Sequence, residues 1–219
     1  MEAGFWHQKW ERGEIGFHES ETNPLLIHHF DKLRTQAGGR VFLPLCGKTR
    51  DIAWLLAGGY RVAGAELSGI AIEQLFNELG VAPRITQAGK LAHYSASGID
   101  IFVGDIFAVS AEDLGPVDAI YDRAALVALP ANVRERYTSH LVDIAGAAPQ
   151  LLVTLEYDQH LLEGPPFSVD ASEVRKHYGA AYQLQCVERN AVEGGLKGKV
   201  AAAESAWVLC TADHREEGI

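Results

Sequence analysis

The stretch Val41–Ser68 reads VFLPLCGKTRDIAWLLAGGYRVAGAELS, and its order of apolar and turn residues decides the fold. An apolar strand, Val41 to Leu43, runs into the tight turn Pro44-Leu45-Cys46-Gly47-Lys48. A helical segment from Asp51 to Leu56 follows, then Gly58-Gly59 and a second apolar strand, Val62 to Ala65, that ends in Glu66. This is a strand–turn–helix–strand unit with a carboxylate at the tip of its second strand. In Rossmann-like folds an acidic residue about 20 positions beyond the first turn hydrogen-bonds a ribose hydroxyl. Glu66 stands in that place, so the unit predicts a nucleoside-bearing cofactor.

Beyond this unit, Ser68 caps a helix predicted over Gly69–Leu79, with Ile72, Leu75, Phe76 and Leu79 on one face and Gly80 at its end. A turn is predicted at Tyr94–Gly98 and a strand at Ile99–Val103 that leads into Gly104-Asp105-Ile106. A strand at Val117–Tyr121 stops at Asp122-Arg123, a helix covers Ala131–Ile144, and Gln150–Leu155 is an almost wholly apolar strand. Strands that alternate with helices, several as continuous apolar runs, indicate a parallel sheet covered on both faces. The last third differs: Tyr182–Glu188 and Ala206–Cys210 read as strands joined by the Gly/Lys-rich stretch Glu193–Lys199, an antiparallel hairpin at the sheet edge.

The expectation is therefore a single α/β domain over residues 1–219. Its Rossmann-like sheet has seven, mostly parallel, strands and ends in an antiparallel C-terminal hairpin, as in the class I methyltransferase fold. Phe5, Trp6 and Trp10 crowd the start of the chain, with both tryptophans on one helical face, before Gly13, Gly16 and Asn23-Pro24 break the regularity. Residues 1–30 are read as an aromatic flap over the carboxyl ends of the strands, where open α/β sheets place their ligands.

Composition narrows the classes. Hydrophobic residues make up 47% of the 219 and charged ones 22%, ordinary for a soluble globular protein. A formal net charge of -10 argues against binding nucleic acid or an anionic membrane through bulk electrostatics. The three cysteines, Cys46, Cys186 and Cys210, form no CxxC pair, which fits a reducing compartment without a disulfide framework. The opening MEAGFWHQKWERGE is too charged for a signal peptide and no run approaches a membrane span, so a cytoplasmic location is expected. Nine histidines include the pair His28-His29, yet neither HExxH nor a clustered His/Cys set occurs, and no metal site is expected.

Four places follow predicted strands and so converge on one edge of a parallel sheet: the Leu45–Lys48 turn, Glu66, Asp105-Ile106 and Asp122-Arg123. The turn matches neither GxGxxG nor the Walker phosphate loop. A dinucleotide pyrophosphate lacks its backbone cradle there, and a nucleoside without phosphates fits better. S-Adenosyl-L-methionine is such a nucleoside, and its sulfonium suits apolar or aromatic neighbours.

FWHQKWERGEIGFHESETNPLL, FLPLCGKTRDIAWL, GAELS, YDRAALVALP and GPPFSV together resemble the bacterial branch of the thiopurine S-methyltransferase family, in the right order over nearly the whole chain. The resemblance implies a monomeric cytoplasmic enzyme. It would move the methyl of S-adenosylmethionine to the sulfur of aromatic and heterocyclic thiols, with S-adenosylhomocysteine as product, and bacterial relatives are also associated with selenium and tellurium compounds. It implies cofactor positions at Trp10, Leu45, Glu66 and Arg123, with Asp105 and Ile106 near the adenine. Arg123 also falls between cofactor and thiol, and Phe17 over the acceptor. The family's eukaryotic members carry a basic, aromatic-containing stretch where this chain reads EGGLKGK at Glu193–Lys199, so neither Lys197 nor Lys199 inherits a role.

Read from the residues alone, several of these positions have plainer explanations. Trp10 serves as half of a core-sealing stripe, Asp105 as a strand end, and Arg123 as the structural partner of a carboxylate. Cys46 reads as a small buried turn residue, having no histidine at a nucleophile's partner spacing. Two other classes remain open at this point. One is a non-catalytic S-adenosylmethionine-binding protein; the other is an NAD-dependent oxidoreductase, against which the missing glycines argue.

Overall fold

The computed structural model describes residues 3–212. The first two residues of the expected flap, and residues 213–219, lie outside them. In chain order the elements are α1 (Ala3–Glu11), α2 (Pro24–His29), β1 (Arg40–Pro44), α3 (Arg50–Ala57), β2 (Arg61–Glu66), α4 (Gly69–Leu79), β3 (Arg84–Ala88) and β4 (Leu91–Ala96). There follow β5 (Ile99–Val103), α5 (Ala111–Leu114), β6 (Ala119–Arg123), α6 (Ala131–Ile144), β7 (Gln150–Tyr157), α7 (Ala171–Tyr178), β8 (Gln183–Ala191) and β9 (Ala202–Cys210).

The sheet has nine strands in the order β3-β4-β5-β2-β1-β6-β7-β9-β8, not the seven expected. Strands β5, β2, β1, β6 and β7 are parallel, and the C-terminal pair β9 and β8 adds antiparallel beyond β7, as expected. The two extra strands are the antiparallel hairpin β3–β4, which extends the opposite edge beyond β5. It occupies the region read as a turn at Tyr94–Gly98; the turn is confined to Ser97-Gly98, and Tyr94 pairs with Ile101. β3 is an edge strand with four of its five residues exposed, so it carries no apolar alternation to betray it.

Apolar residues divide by strand alternation onto the two faces. Val41, Leu43 and Val62 pack with Leu25, Leu26 and Phe30, with Ile52 and Leu55 of α3, and with Ile72, Leu75 and Phe76 of α4. Phe42, Ala63 and Ile120 pack on the other face with Leu114 of α5, Tyr137 and Leu141 of α6, and Val174 and Tyr178 of α7. Within the N-terminal segment, α2 belongs to this core: Asn23 caps it, and the Asn23 amide donates to Asp51 of α3 at 2.8 Å. Trp10, Phe17 and Glu19, all before Asn23, reach Gly47 and Arg123 at the strand ends.

Strand β1 has β2 on one side and β6 on the other, and their connections run in opposite directions. That reversal opens a crevice at the carboxyl ends, the position where open α/β sheets bind ligands.

Candidate active site

The turn after β1 is held in an unusual backbone path. Leu45 has φ 48° and Gly47 has φ 52°, and the Cys46 amide donates to the Ala65 carbonyl at 3.0 Å. Gly47 tolerates this conformation at no steric cost, and its missing side chain admits Trp10. A Cβ on Gly47 would lie 3.2 Å from Trp10 Cζ2. Cys46 is buried against Gly64, and burial pushes its thiol well above the usual cysteine range, which leaves it protonated and unsuited to nucleophilic work.

Glu66 ends β2 with its carboxylate buried. Oε2 accepts from the Gly47 amide at 2.8 Å and Oε1 from the Ser68 amide at 2.8 Å. Burial raises its pKa, and the amides of Ser68, Gly47 and Leu67 oppose that rise. A carboxylate offers about four lone-pair directions; with two taken by these bonds, two remain for a vicinal diol. The Glu66 carbonyl accepts from the Gly104 amide at 2.9 Å, which brings the end of β5 alongside. Asp105 follows, exposed, capping a short 3-10 turn through Phe107, and Ile106 is buried with its carbonyl hydrogen-bonded by His140 at 2.9 Å.

The N-terminal segment touches the turn after β1 through Trp10 and the end of β6 through Phe17 and Glu19. Trp10 of α1 is buried, and Phe17 packs edge-on against both Trp6 and Trp10, at 5.6 and 5.7 Å between ring centroids. Arg123, the last residue of β6, reaches up to this segment: Nη1 donates to the Phe17 carbonyl at 3.2 Å and Nη2 bridges to Glu19. His18 lies beside Lys48, and burial with the charge of Lys48 lowers its pKa.

All the residues singled out from sequence thus meet. Contacts lead from Arg123 through Phe17, Trp10, Gly47 and Glu66 to Gly104, Asp105 and Ile106, with Leu45 in the same turn. Sequence reasoning missed Glu19 as partner of Arg123, and His140 as the anchor of Ile106. Neither carries a local motif, because each meets its partner only through the fold. Lys197 donates to the Pro165 carbonyl at 3.0 Å.

Asp122, beside Arg123, is structural. It is fully buried, accepting from the Leu126 amide at 3.1 Å and the Tyr137 hydroxyl at 2.8 Å. Burial raises its carboxyl from 3.8 to about 6 against those bonds. The unfolded chain gives up this proton more readily, so the group favours the fold below about pH 4, and that contribution is lost as pH rises through about 6. Relative to wild type, the melting temperature of Asp122→Asn should therefore climb between those pH values, an effect on the order of 3 kcal/mol. A difference independent of pH in calorimetric scans would contradict the assignment.

A family model described as Thiopurine S-methyltransferase (TPMT) matches residues 1–211. A thiopurine S-methyltransferase of Xanthobacter autotrophicus is 57% identical over 210 residues, covering 95% of this chain and 99% of that protein. One from Teredinibacter turnerae is 54% identical over 209 residues, covering 95% and 97%. Among solved structures, the 1,6-didemethyltoxoflavin-N1-methyltransferase of Burkholderia thailandensis, with S-adenosylhomocysteine bound, superposes with a TM-score of 0.65 at 14% identity, covering 95% of this chain and 87% of that one. The magnesium protoporphyrin IX methyltransferase of Synechocystis, also with bound S-adenosylhomocysteine, gives 0.61 at 12% identity, covering 96% and 100%.

Proposed function

The chain belongs to the thiopurine S-methyltransferase family, and from that premise we propose that it carries a methyl group from S-adenosyl-L-methionine to the sulfur of aromatic and heterocyclic thiols. Its activity as an S-adenosylmethionine-dependent methyltransferase comes with the family; the acceptor and the residue roles are the proposal. The observation that carries it is the unbroken series of contacts from Glu66 to Arg123, since one end suits a ribose and the other a thiolate.

Bound in the crevice, S-adenosylmethionine supplies an electrophilic methyl on a sulfonium with a thioether leaving group. Glu66 accepts the two ribose hydroxyls, charge-assisted bonds about twice as strong as neutral ones. Leu45 shapes the floor through its backbone. Ile106 packs against the adenine, with Asp105 at its polar rim. The Trp10 ring favours a cation by about 0.5–2 kcal/mol. Phe17 closes over the acceptor and keeps water out. Arg123 exchanges Glu19 for the acceptor sulfur, lowers the thiol pKa and steadies the thiolate. Alignment and dryness do most of the work, for which well-oriented systems gain as much as about 7–11 kcal/mol.

The chain is read as one domain over 1–219, with the flap within residues 1–30, acting as a cytoplasmic monomer. Cys46, Cys186 and Cys210 form no disulfide with one another, as suits a reducing compartment. No helix among the described residues is long and apolar enough to cross a membrane.

The test is a panel in which one heterocycle carries a thiol, a hydroxyl or an amine, with selenium and tellurium compounds as further soft nucleophiles. The thiol should be methylated at sulfur, identified by mass spectrometry, and the hydroxyl and amine left untouched. Methylation at oxygen or nitrogen with none at sulfur would overturn the reading.

A further inference from the structure

Glu204 is a carboxylate to which the roles above give no task. Val153 of β7 pairs with Arg123 of β6 on one side and with Ala206 of β9 on the other, and Glu204 lies two residues before Ala206. Side chains alternate faces along a strand, so Arg123 and Glu204 project from the same face, the one on which Val153 and Ala206 pack with α3. Glu204 is half-buried, and no described residue hydrogen-bonds its carboxylate.

The charged groups facing it are Arg123 from β6, Glu19 from the N-terminal segment and Glu188 from β8. Burial pushes its pKa up, Arg123 draws it down, and Glu19 and Glu188 raise it further. The other two carboxylates are engaged: Glu188 binds His29 of α2 at 2.6 Å and Asn190 of β8, and Glu19 is on Arg123. Glu204 is thus a half-buried carboxylate on the same face as a guanidinium, with no donor among the described residues on its oxygens and so open to a group that enters beside it.

We propose that Glu204 takes the proton of the incoming thiol, which enters between Glu204 and Arg123. The inference rests on the thiol reading given above. The S–H bond breaks with its electron pair left on sulfur, and the proton forms an O–H bond on Glu204. The sulfur pair then bonds to the methyl carbon as the old carbon–sulfonium bond breaks with its pair on the departing thioether. Glu204 afterwards releases its proton to water. Glu204 thereby sets which acceptors are usable: it admits thiols that are not ionised in solution, and its own charge disfavours those that already are.

The test compares wild type with Glu204→Gln on aryl thiols spanning acidities above and below the assay pH, alongside titration with S-adenosylhomocysteine. The variant should lose about 10²-fold in kcat/KM on thiols protonated at that pH. It should hold or gain on pre-ionised thiols and bind S-adenosylhomocysteine as wild type does. In wild type the kcat/KM of protonated thiols should rise with ionisation of a single carboxyl titrating above the usual glutamate range, a limb absent from the variant. An equal loss on every thiol, or no loss on any, would overturn the proposal. Should the variant fold poorly, carbon NMR titration of the Glu204 carboxyl in wild type and Arg123→Lys decides: a pKa that ignores added acceptor in the S-adenosylhomocysteine complex overturns it. Wild type inactive on every thiol would sink the thiol reading itself, and this inference with it.

Discussion

Arg123→Ala should lower kcat/KM on weakly acidic thiols by about 10–100-fold, the scale of one lost charged hydrogen bond, while strongly acidic thiols lose far less. In the proposed role, the guanidinium matters most where the sulfur must still be persuaded to ionise. Arg123 also binds the Phe17 carbonyl and Glu19, so its removal frees the N-terminal segment as well. That second effect falls on all acceptors alike. Arg123→Lys separates the two, because it keeps the charge without the two-pronged donor geometry. The decisive reading is the slope of log kcat/KM against thiol pKa, steeper in Arg123→Ala than in wild type. Parallel lines would leave Arg123 only a structural post.

Gly47→Val should damage the cofactor site from underneath. Gly47 has φ 52°, and a Cβ there would stand 3.2 Å from Trp10 Cζ2. A non-glycine residue in that conformation costs about 1–2 kcal/mol, which corresponds to a melting point lower by about 2–8 °C in a chain of this size. The larger consequence is local. Valine pushes the Trp10 ring out of place and disturbs the amide that Glu66 holds at 2.8 Å. The Kd for S-adenosylhomocysteine should rise at least about tenfold, a loss of about 1.4 kcal/mol. A lowered melting point with an unchanged Kd would mean that Trp10 seals the core and does not wall the cofactor.

Much of this was legible in the chain because its boundaries carry physical punctuation. The helix Gly69–Leu79 lies between the Ser68 cap and the left-handed Gly80, and β5 between Gly98 and Gly104, so both fall on the expected residues. β6 runs on to include Asp122 and Arg123, which the sequence places after the strand; pairing with β7 extends it. Strand β3 was illegible for the opposite reason, since an edge strand exposed on both faces has no period to read. Helices α2 and α7, six and eight residues long, bury too few side chains for periodicity to stand out. Leu45, Glu66, Asp105, Ile106 and Arg123 followed from topology, because each ends or follows a strand that a parallel sheet brings to one edge, whereas Trp10 and Phe17 came from the resemblance. Glu19 and Glu204 are also at that edge, but only strand register and the path of the N-terminal segment put them there, and no spacing encodes that.

The measurement that bears most directly on the assignment of this crevice is a calorimetric titration with S-adenosylhomocysteine, wild type beside Glu66→Gln. Glutamine keeps an acceptor for only one of the Gly47 and Ser68 amides, turns its NH2 toward the other, and removes the charge proposed to hold the ribose hydroxyls. The expected result is one site of micromolar affinity in wild type, weakened about 10²-fold or more in the variant, as for two charged hydrogen bonds reduced to neutral ones. Wild type that does not bind, or a variant that binds equally well, would contradict the placement of the cofactor on Glu66.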